Sequence, residues 1–410
     1  MRLLATLHDP WMALCFAHAL GDELDGVATF GGEEWAARFA QLGVPAVLAP
    51  VADEATTMGL LGHPAVAAFV QRAPSLLLCF KPSRRLEERA AELGATLASA
   101  PASVAQRLEN KLTLRSLAAA GGILVDPAPE DPVGLPAQSK VTVTGELSLA
   151  QLRGVIGAST GEPVVVQSPR GFMGRKTWAV HDDADWDSVR SQLDRRPAKV
   201  TRFVRGRPGT LNAVVDAAGT VLCTAPIVQV TGEPHLTPYP LGSCGNDFTW
   251  RPAPHPRNGP YELARRLGPA LADAGFVGHF GIDFVVEDRG FAPARTWLIE
   301  INPRLTASMA LYSAWRPILA RAHLSVLAGS ELRSTGELPP LLGGQLLVHN
   351  LTDGPVAPLG ALEAGAPVAG SAMPTETQLW PQVTSSVAPG GTRGRLVRVG
   401  AVVADDGALL

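Results

Sequence analysis

The segment Trp297-Leu-Ile-Glu300-Ile-Asn302-Pro303-Arg304 sets two oxygen-bearing side chains two residues apart and follows them with a guanidinium. In a strand, residues two apart share a face. Glu300 and Asn302 are therefore expected to point one way, and Trp297, Ile299 and Ile301 the other. The preceding strand-like run, Phe280-Gly-Ile-Asp283-Phe-Val-Val286, carries one carboxylate among apolar residues. If the two runs form a hairpin about the loop 287–295, Asp283 lies across from Glu300. Two carboxylates and an amide oxygen then converge. Such hard donors suit Mg²⁺ that completes its shell with water and nucleotide phosphate. The spacing fits equally a half-exposed hairpin whose polar face does no chemistry, and spacing alone leaves both readings open.

A second stretch, Pro163-Val-Val-Val-Gln167-Ser-Pro-Arg170-Gly171-Phe-Met-Gly174-Arg175-Lys176-Thr177-Trp, is an apolar strand, a loop with glycines and cations, and another strand. Glycines let backbone N–H groups approach phosphate oxygens, and Arg170, Arg175 or Lys176 could neutralise them. It is not a Walker A loop, because Arg175 separates Gly174 from Lys176 and a strand follows where a helix should. An ordinary basic hairpin has the same pattern. A third candidate is Lys111 in the helical run Glu109-Asn110-Lys111. A lone helical lysine is most often a solvated charge. This chain, however, has only Lys81, Lys111, Lys140, Lys176 and Lys199 among 35 basic residues, so each lysine kept in so Arg-rich a sequence invites scrutiny. The histidines show no metal-binding spacing. His279, beside the Asp283 strand, reads as a structural hydrogen-bonding group. There is no G-x-S-x-G, and no cysteine sits in a nucleophile pattern.

These residues need elements to position them. The first hundred residues alternate apolar runs (Leu3–Leu7, Val27–Phe30, Ala46–Leu48, Leu76–Phe80) with helical segments such as Glu33–Leu42 and Arg84–Leu93. That alternation predicts a parallel α/β sheet. The first strand runs into His8-Asp9-Pro10-Trp11 rather than G-x-G-x-x-G, which disfavours a dinucleotide enzyme. Ser103–Ala120 reads as one helix closed by Gly121-Gly122. Strands are expected at Val141–Thr144, Pro163–Gln167, Lys176–Val180, Lys199–Val204, Leu211–Val215 and Val221–Val230, with helices at Leu149–Ile156, Asp185–Leu193 and Tyr261–Ala274. After Leu305 a helical stretch broken at Pro317 runs towards Gly329, and the tail from Glu331 is β-like.

With 410 residues, 46% hydrophobic and 18% charged, the chain can bury a large core in two or three domains. A net charge of 35 − 38 = −3 gives no broad electrostatic grip on nucleic acid or an acidic membrane. No apolar run reaches the ~18 residues of a membrane span. Cys15, Cys79, Cys223 and Cys244 form no CxxC, which argues against structural zinc and suits buried thiols in a reducing cytoplasm. Arg2 and Ala17-His18-Ala19 imitate parts of a signal peptide, but His8-Asp9-Pro10 interrupts the apolar stretch between them.

From about Ser103 to Gly329 these pieces resemble the ATP-grasp superfamily. The fold class implied is α/β: an ATP-grasp fold with a Rossmann-like N-terminal domain and a small β-like C-terminal subdomain. The expected division is 1–102 (Rossmann-like pre-ATP-grasp domain), 103–204 (small, lid subdomain with linker), 205–330 (large subdomain with the metal site) and 331–410 (accessory subdomain). By the resemblance, Lys111 contacts ATP and the Gly171–Gly174 hairpin is the loop over the phosphates. Asp283, Glu300 and Asn302 are the metal ligands, and Arg304 is the arginine of the E-x-N-x-R signature. Thr210-Leu-Asn212, Gln229-Val-Thr-Gly232 and Cys244-Gly-Asn246-Asp247-Phe248 look closest to the pheganomycin-type bacterial peptide ligases. Three departures stand out. Gln167 occupies a position where family members often carry lysine, so Lys176 or Arg170 would supply the cation. No ribose-gripping Glu is evident in Val200-Thr-Arg202-Phe-Val204. Gly281 stands where many peptide ligases have arginine.

The resemblance implies an ATP- and Mg²⁺-dependent carboxylate–amine ligase acting through an acyl phosphate on amino acids or small peptides, in specialised metabolism such as antibiotic biosynthesis. Arg304 and Lys176 would take the catalytic roles. Lys111, Gln167, Arg170, Gly171, Gly174, Lys176 and Arg202 would meet the nucleotide. Its partners would be a small-molecule acid and amine, without nucleic acid or membrane, and a homodimer is an open option. A carboxylase or phosphotransferase on the same fold, or an idle nucleotide-binding scaffold, are the rival readings.

Overall fold

Short apolar runs separated by glycine-ended helices build the first layer. Strands β1 (Arg2–Thr6), β2 (Gly26–Phe30), β3 (Ala46–Ala49), β4 (Ser75–Leu78) and β5 (Ala95–Leu97) form a parallel sheet in the order β3-β2-β1-β4-β5. Helices α1 (Pro10–Leu20), α2 (Glu33–Gln41), α3 (Thr57–Gly62), α4 (Pro64–Val70) and α5 (Arg84–Glu92) connect them. The computed structural model describes residues 1–50, 56–171, 174, 176–233, 237, 239–248, 259–287, 289, 294–339, 341–349, 377–380 and 396–403. The His8-Asp9-Pro10 sequence after β1 is a helix start. Asp9 Oδ1 accepts from the Trp11 and Met12 N–H groups at 3.0 and 3.3 Å, and Pro10 occupies the first turn, where its missing N–H costs nothing. Helix α1 is apolar all round and buried almost throughout, as a helix packed on several sides must be.

The run read as one helix, Ser103–Ala120, is two: α6 (Ala102–Leu108) and α7 (Leu114–Ala120). Side chains of the intervening residues compete for the backbone. Asn110 Oδ1 accepts from the Leu112 N–H at 3.0 Å, and the Thr113 hydroxyl donates to the Arg107 and Asn110 carbonyls at 2.9 and 2.8 Å. The break places Glu109 and Lys111 on a turn instead of a helix face.

Strand β6 (Val133–Gly134) then leads into a second sheet of β7 (Gln138–Thr142), β8 (Val164–Gln167), β9 (Thr177–Val180) and β10 (Pro197–Arg202), antiparallel in the order β7-β10-β8-β9. Helices α8 (Leu149–Val155) and α9 (Asp183–Leu193) cover one of its faces, burying Leu152, Trp186 and Val189 against Val164, Val166 and Val200.

The largest sheet contains β11 (Arg207–Val215), β12 (Val221–Thr224), β13 (Ile227–Thr231), β14 (Ser243–Asp247), β15 (Gly278–Glu287) and β16 (Arg295–Asn302). Val221–Val230, expected as one strand, breaks at Ala225-Pro226 into β12 and β13, both of which pair with β11. Pro226 has no N–H to give to a continuous ladder. Helix α10 (Gly259–Asp273) packs on this sheet, burying Leu263, Leu267 and Leu271 against Phe280 and Leu298. Helices α11 (Ala307–Trp315) and α12 (Ile318–Leu327) share a core with α1 and so join the first layer to the sheet. In the tail, β17 (Gly336–Leu338) pairs parallel with β12. Strands β18 (Leu342–His349), β19 (Thr377–Trp380) and β20 (Leu396–Val403) continue the same sheet beyond β14. Among the described residues, no helix is long and apolar enough to cross a membrane.

The register of β15 against β16 contains a bulge. Asp283 pairs with Glu300 and Phe284 with Leu298, leaving Ile299 without an opposite residue. Strict alternation therefore fails here. Leu298, not Ile299, joins Ile301 in the core, while Ile299 turns to the same cavity as Glu300. Leu298→Ala should cost about 2–5 kcal/mol, as for other buried leucines. Ile299→Ala should cost clearly less. Denaturant unfolding of the two variants measures the difference, and equal losses would contradict the bulged register.

Candidate active site

A cavity of about 410 Å³ is lined by the second sheet, the large sheet and the mouth of the first layer. It lies in the size range of small-molecule sites. The β15–β16 hairpin sends Asp283, Glu300 and Asn302 into it, and Arg304 follows on the turn before α11. Asn302 Nδ2 donates to Asp283 Oδ2 at 3.0 Å, and Arg304 donates to Asn302 Oδ1 at 2.9 Å. Burial, then the charge of Glu300, push the Asp283 carboxyl up to about 6. Thr210 and Asn302 hydrogen bonds work against that rise. Lys111, 5% exposed rather than solvated, places Nζ 2.7 Å from Glu300 Oε2.

Arg304 is held on several sides. It donates to Glu109 Oε1 at 3.1 Å and to the Leu305 carbonyl at 3.2 Å, and its guanidinium lies 4.9 Å from the Phe80 ring centroid. Burial alone would raise the Glu109 carboxyl. Arg304 and Lys81 outweigh it and hold the group below the ordinary carboxylate range. Lys81 Nζ lies 2.6 Å from Glu109 Oε2, so the first layer reaches the site through an ion pair as well as through Phe80. His279 is structural, as its sequence context suggested: Nδ1 donates to the Arg304 carbonyl at 2.7 Å. Burial, with His323 beside it, pushes the imidazole down to about 3, so the ring is neutral near pH 7.

The remaining sequence candidates divide. Gln167, Gly171, Gly174 and Arg202 line the cavity. Gln167 Nε2 donates to the Thr177 hydroxyl at 3.4 Å, and Arg202 pairs with Asp126 at 3.3 Å. Gly174 has φ +74°, and a Cβ there would run into Leu241 and Gly242, so the loop is seated against the large sheet where only glycine fits. Arg170 and Lys176 are exposed and are not part of the cavity wall. Phe172, Met173 and Arg175 of the same loop, expected to lie over the phosphates, fall outside the described residues. At Gly281 a Cβ would lie 3.0 Å from Thr306 Cγ2, so the space an arginine would need is filled.

Two residues escaped the sequence reading. Lys199 is 3% exposed, lines the cavity and donates from Nζ to the Ile299 carbonyl at 3.0 Å. Its signal was the rarity of lysine in this chain. Glu109 had none, because its partners come from three separate segments. Thr306 caps α11 by accepting from the Met309 N–H at 3.1 Å, and Thr306, Ala307 and Ser308 line the cavity, as do Arg304, His8, Met12 and Phe80.

The donor chemistry fits a divalent cation shared with a ligand. Among the described residues, no group of three or more His, Cys, Asp and Glu side chains is placed to hold a metal ion by itself. Asp283 and Glu300 supply two carboxylates, and Asn302 Oδ1 keeps a second lone pair after accepting from Arg304. Burial is the main cause of the rise in the Asp283 carboxyl and the charge of Glu300 the second, and a cation held by both carboxylates would offset that repulsion.

Residues 151–308 match the ATP-grasp domain. Three solved structures are similar over nearly the whole chain. The biotin carboxylase domain of the Hydrogenobacter thermophilus 2-oxoglutarate carboxylase, solved as a dimer with MgADP, ADP and bicarbonate, is 12% identical with a TM-score of 0.62, covering 98% of this chain and 86% of that one. N5-carboxyaminoimidazole synthetase from Staphylococcus aureus, solved with ADP, is 11% identical with a TM-score of 0.59 over 98% and 94%. Phosphoribosylamine–glycine ligase from Thermotoga maritima is 13% identical with a TM-score of 0.57 over 97% and 92%. No curated protein sequence matches the chain. The architecture of the chain is the ATP-grasp fold.

Burial pushes the Lys199 ammonium down to about 7, with Glu300 pulling it back up and Lys111 adding to the fall. The folded group loses its proton below the unfolded one. Unfolding therefore takes up a proton between these values, and stability from this group rises with pH across that window. Lys199→Met should stabilise the ligand-free protein most below about pH 7, with the gain shrinking towards pH 10. Urea titrations at the two ends of the window check this, and a pH-independent difference would contradict it.

Proposed function

We propose that the protein is an ATP- and Mg²⁺-dependent ligase that joins a small-molecule carboxylic acid to an amine, with release of ADP and phosphate. The observation that carries the reading is one cavity holding Asp283, Glu300 and Asn302 on adjacent strands, with Lys111 against Glu300 and Arg304 against Asn302. The ATP-grasp fold and neighbours solved with ADP or MgADP support a nucleotide there. Asp283, Glu300 and Asn302 would hold Mg²⁺, which when bound neutralises phosphate charge. Gly171 and Gly174 would present backbone to the phosphates, with Arg170 and Lys176 at the ends of that loop, and Arg202 would lie on the nucleoside side.

A carboxylate has no leaving group. Transfer of the γ-phosphoryl group of ATP to its oxygen supplies one, and attack by the amine then expels phosphate. Arg304 would hold the carboxylate and stabilise the oxyanion that forms as the amine adds. Glu109, Asn302 and the Phe80 face keep its guanidinium in one orientation. The α11 N-terminus and the His8–Met12 turn would enclose the acid and exclude water. Thr210, Gln229, Thr231 and Asn246 lie on the cavity wall and come from the segments resembling pheganomycin-type peptide ligases, which favours an amino acid or small peptide as substrate.

Three measurements test this. A phosphate-release screen with ATP, Mg²⁺ and a matrix of acids and amines should find amine-dependent turnover, and hydroxylamine in place of the amine should give a hydroxamate. Formation of AMP would replace the acyl phosphate with an adenylate. Glu300→Gln should lower turnover by at least ~10²-fold, as removal of positioned electrostatic stabilisation does elsewhere. Arg304→Lys should damage amide formation while ADP binding persists, since an ammonium cannot make two parallel hydrogen bonds to a carboxylate. Full activity in that variant would assign the acid to another residue.

A further inference from the structure

We propose that Lys199 is a phosphate-contacting cation of the nucleotide site, reaching from β10 across the cavity position that Gln167 leaves uncharged. The inference rests on the nucleotide reading above and names a residue which that reading did not use.

Lys199 and Gln167 are directly opposed in the antiparallel β10–β8 pair. Opposed residues share a face of the sheet, and both line the cavity, 3% and 4% exposed. An ammonium has three N–H donors. Among the described residues Lys199 uses one, to the Ile299 carbonyl, and has no carboxylate within ion-pairing distance. That carbonyl belongs to the bulged residue, which has no opposite partner on β15. The bulge thus supplies the anchor that aims Lys199 at the cavity.

The other cations of the site are committed. Lys111 is paired with Glu300, Arg304 with Glu109 and Asn302, and Arg202 with Asp126. The carboxylate that acts on Lys199, Glu300, is paired with Lys111, and a buried ammonium left in that position is stabilised when a further anion meets it. Two anions could enter this cavity: a nucleotide phosphate and a substrate carboxylate. Lys199 stands opposite Gln167, the residue that ends β8 ahead of the Gly171 loop, whereas Arg304 is held against Glu109 and Phe80 of other segments. Its position selects the phosphate.

The test is calorimetric binding of ADP and of adenosine, with Mg²⁺, to the full chain. Wild type, Lys199→Gln, Lys199→Met and the exchange variant Lys199→Gln/Gln167→Lys would be compared. Loss of one charge-assisted contact should weaken ADP binding by about 10- to 100-fold in both single variants. Adenosine binding should be unchanged, and the exchange variant should recover most of the ADP affinity by returning the ammonium to the same face. Wild-type ADP affinity in both single variants would overturn the assignment and leave the nucleotide reading standing. Equal losses for ADP and adenosine, or no recovery in the exchange variant, would make Lys199 a structural group instead. Failure of the wild-type protein to bind ATP or ADP would overturn the proposed function itself.

Discussion

A carboxylate enclosed between two sheets must be met by positive charge, and Glu300 is met by Lys111 at 2.7 Å. Much of the site's construction follows from that requirement. Glu300 projects from the central hairpin, so the cation must come from elsewhere in the chain. It comes from the turn between α6 and α7, whose helix is interrupted by Asn110 and Thr113 hydrogen bonds. The Lys111 N–H also donates to the Pro169 carbonyl at 3.1 Å, which ties the turn to the segment leading into the glycine loop. One ion pair therefore connects the α6–α7 turn with the β15–β16 hairpin, and one backbone hydrogen bond extends the link to the second sheet. Removing either partner of a buried pair is more costly than never having made it, because a charge is left unanswered.

The same logic extends outward from Arg304. Its guanidinium is shared among Asn302, Glu109 and the Phe80 face, and Glu109 is shared with Lys81. The first layer is thereby coupled to the site by charge as well as by the apolar packing of α1 on α11. Lys81 is half-exposed, so the Glu109–Lys81 contact is screened by solvent and weaker than the Glu109–Arg304 contact beneath it. Its effect is positional: it restrains Glu109, which restrains Arg304. The His279 imidazole performs a related task on the backbone, holding the Arg304 carbonyl while remaining neutral.

The bulge at Ile299 has two consequences from one extra residue. It turns Ile299 and Glu300 together into the cavity, and it frees a carbonyl that receives Lys199. A regular hairpin would have kept Glu300 and Asn302 in line but left Lys199 without this anchor.

Much of the site was readable from the chain. Asp283, Glu300 and Asn302 are set by period-two geometry along two strands and by one short loop, so the sequence determined their convergence. The parallel first sheet followed in the same way from alternating apolar runs and glycine-ended helices. Helix α6–α7 was misread because Asn110 and Thr113 satisfy the backbone through side chains, a competition that apolar periodicity does not register. Ile299 was placed on the wrong face because alternation assumes an unbroken ladder. Glu109 depended on the tertiary structure entirely, and Lys199 had only the rarity of lysine to mark it. Lys199 gains its meaning from standing opposite Gln167 in a register set by the sheet, and Glu109 from meeting Lys81 and Arg304, which lie far from it in sequence. Local spacing determines which way a side chain leaves its own strand. Which charge waits for it there is decided by packing, because the electrostatic cost of burial is settled between segments and not within one.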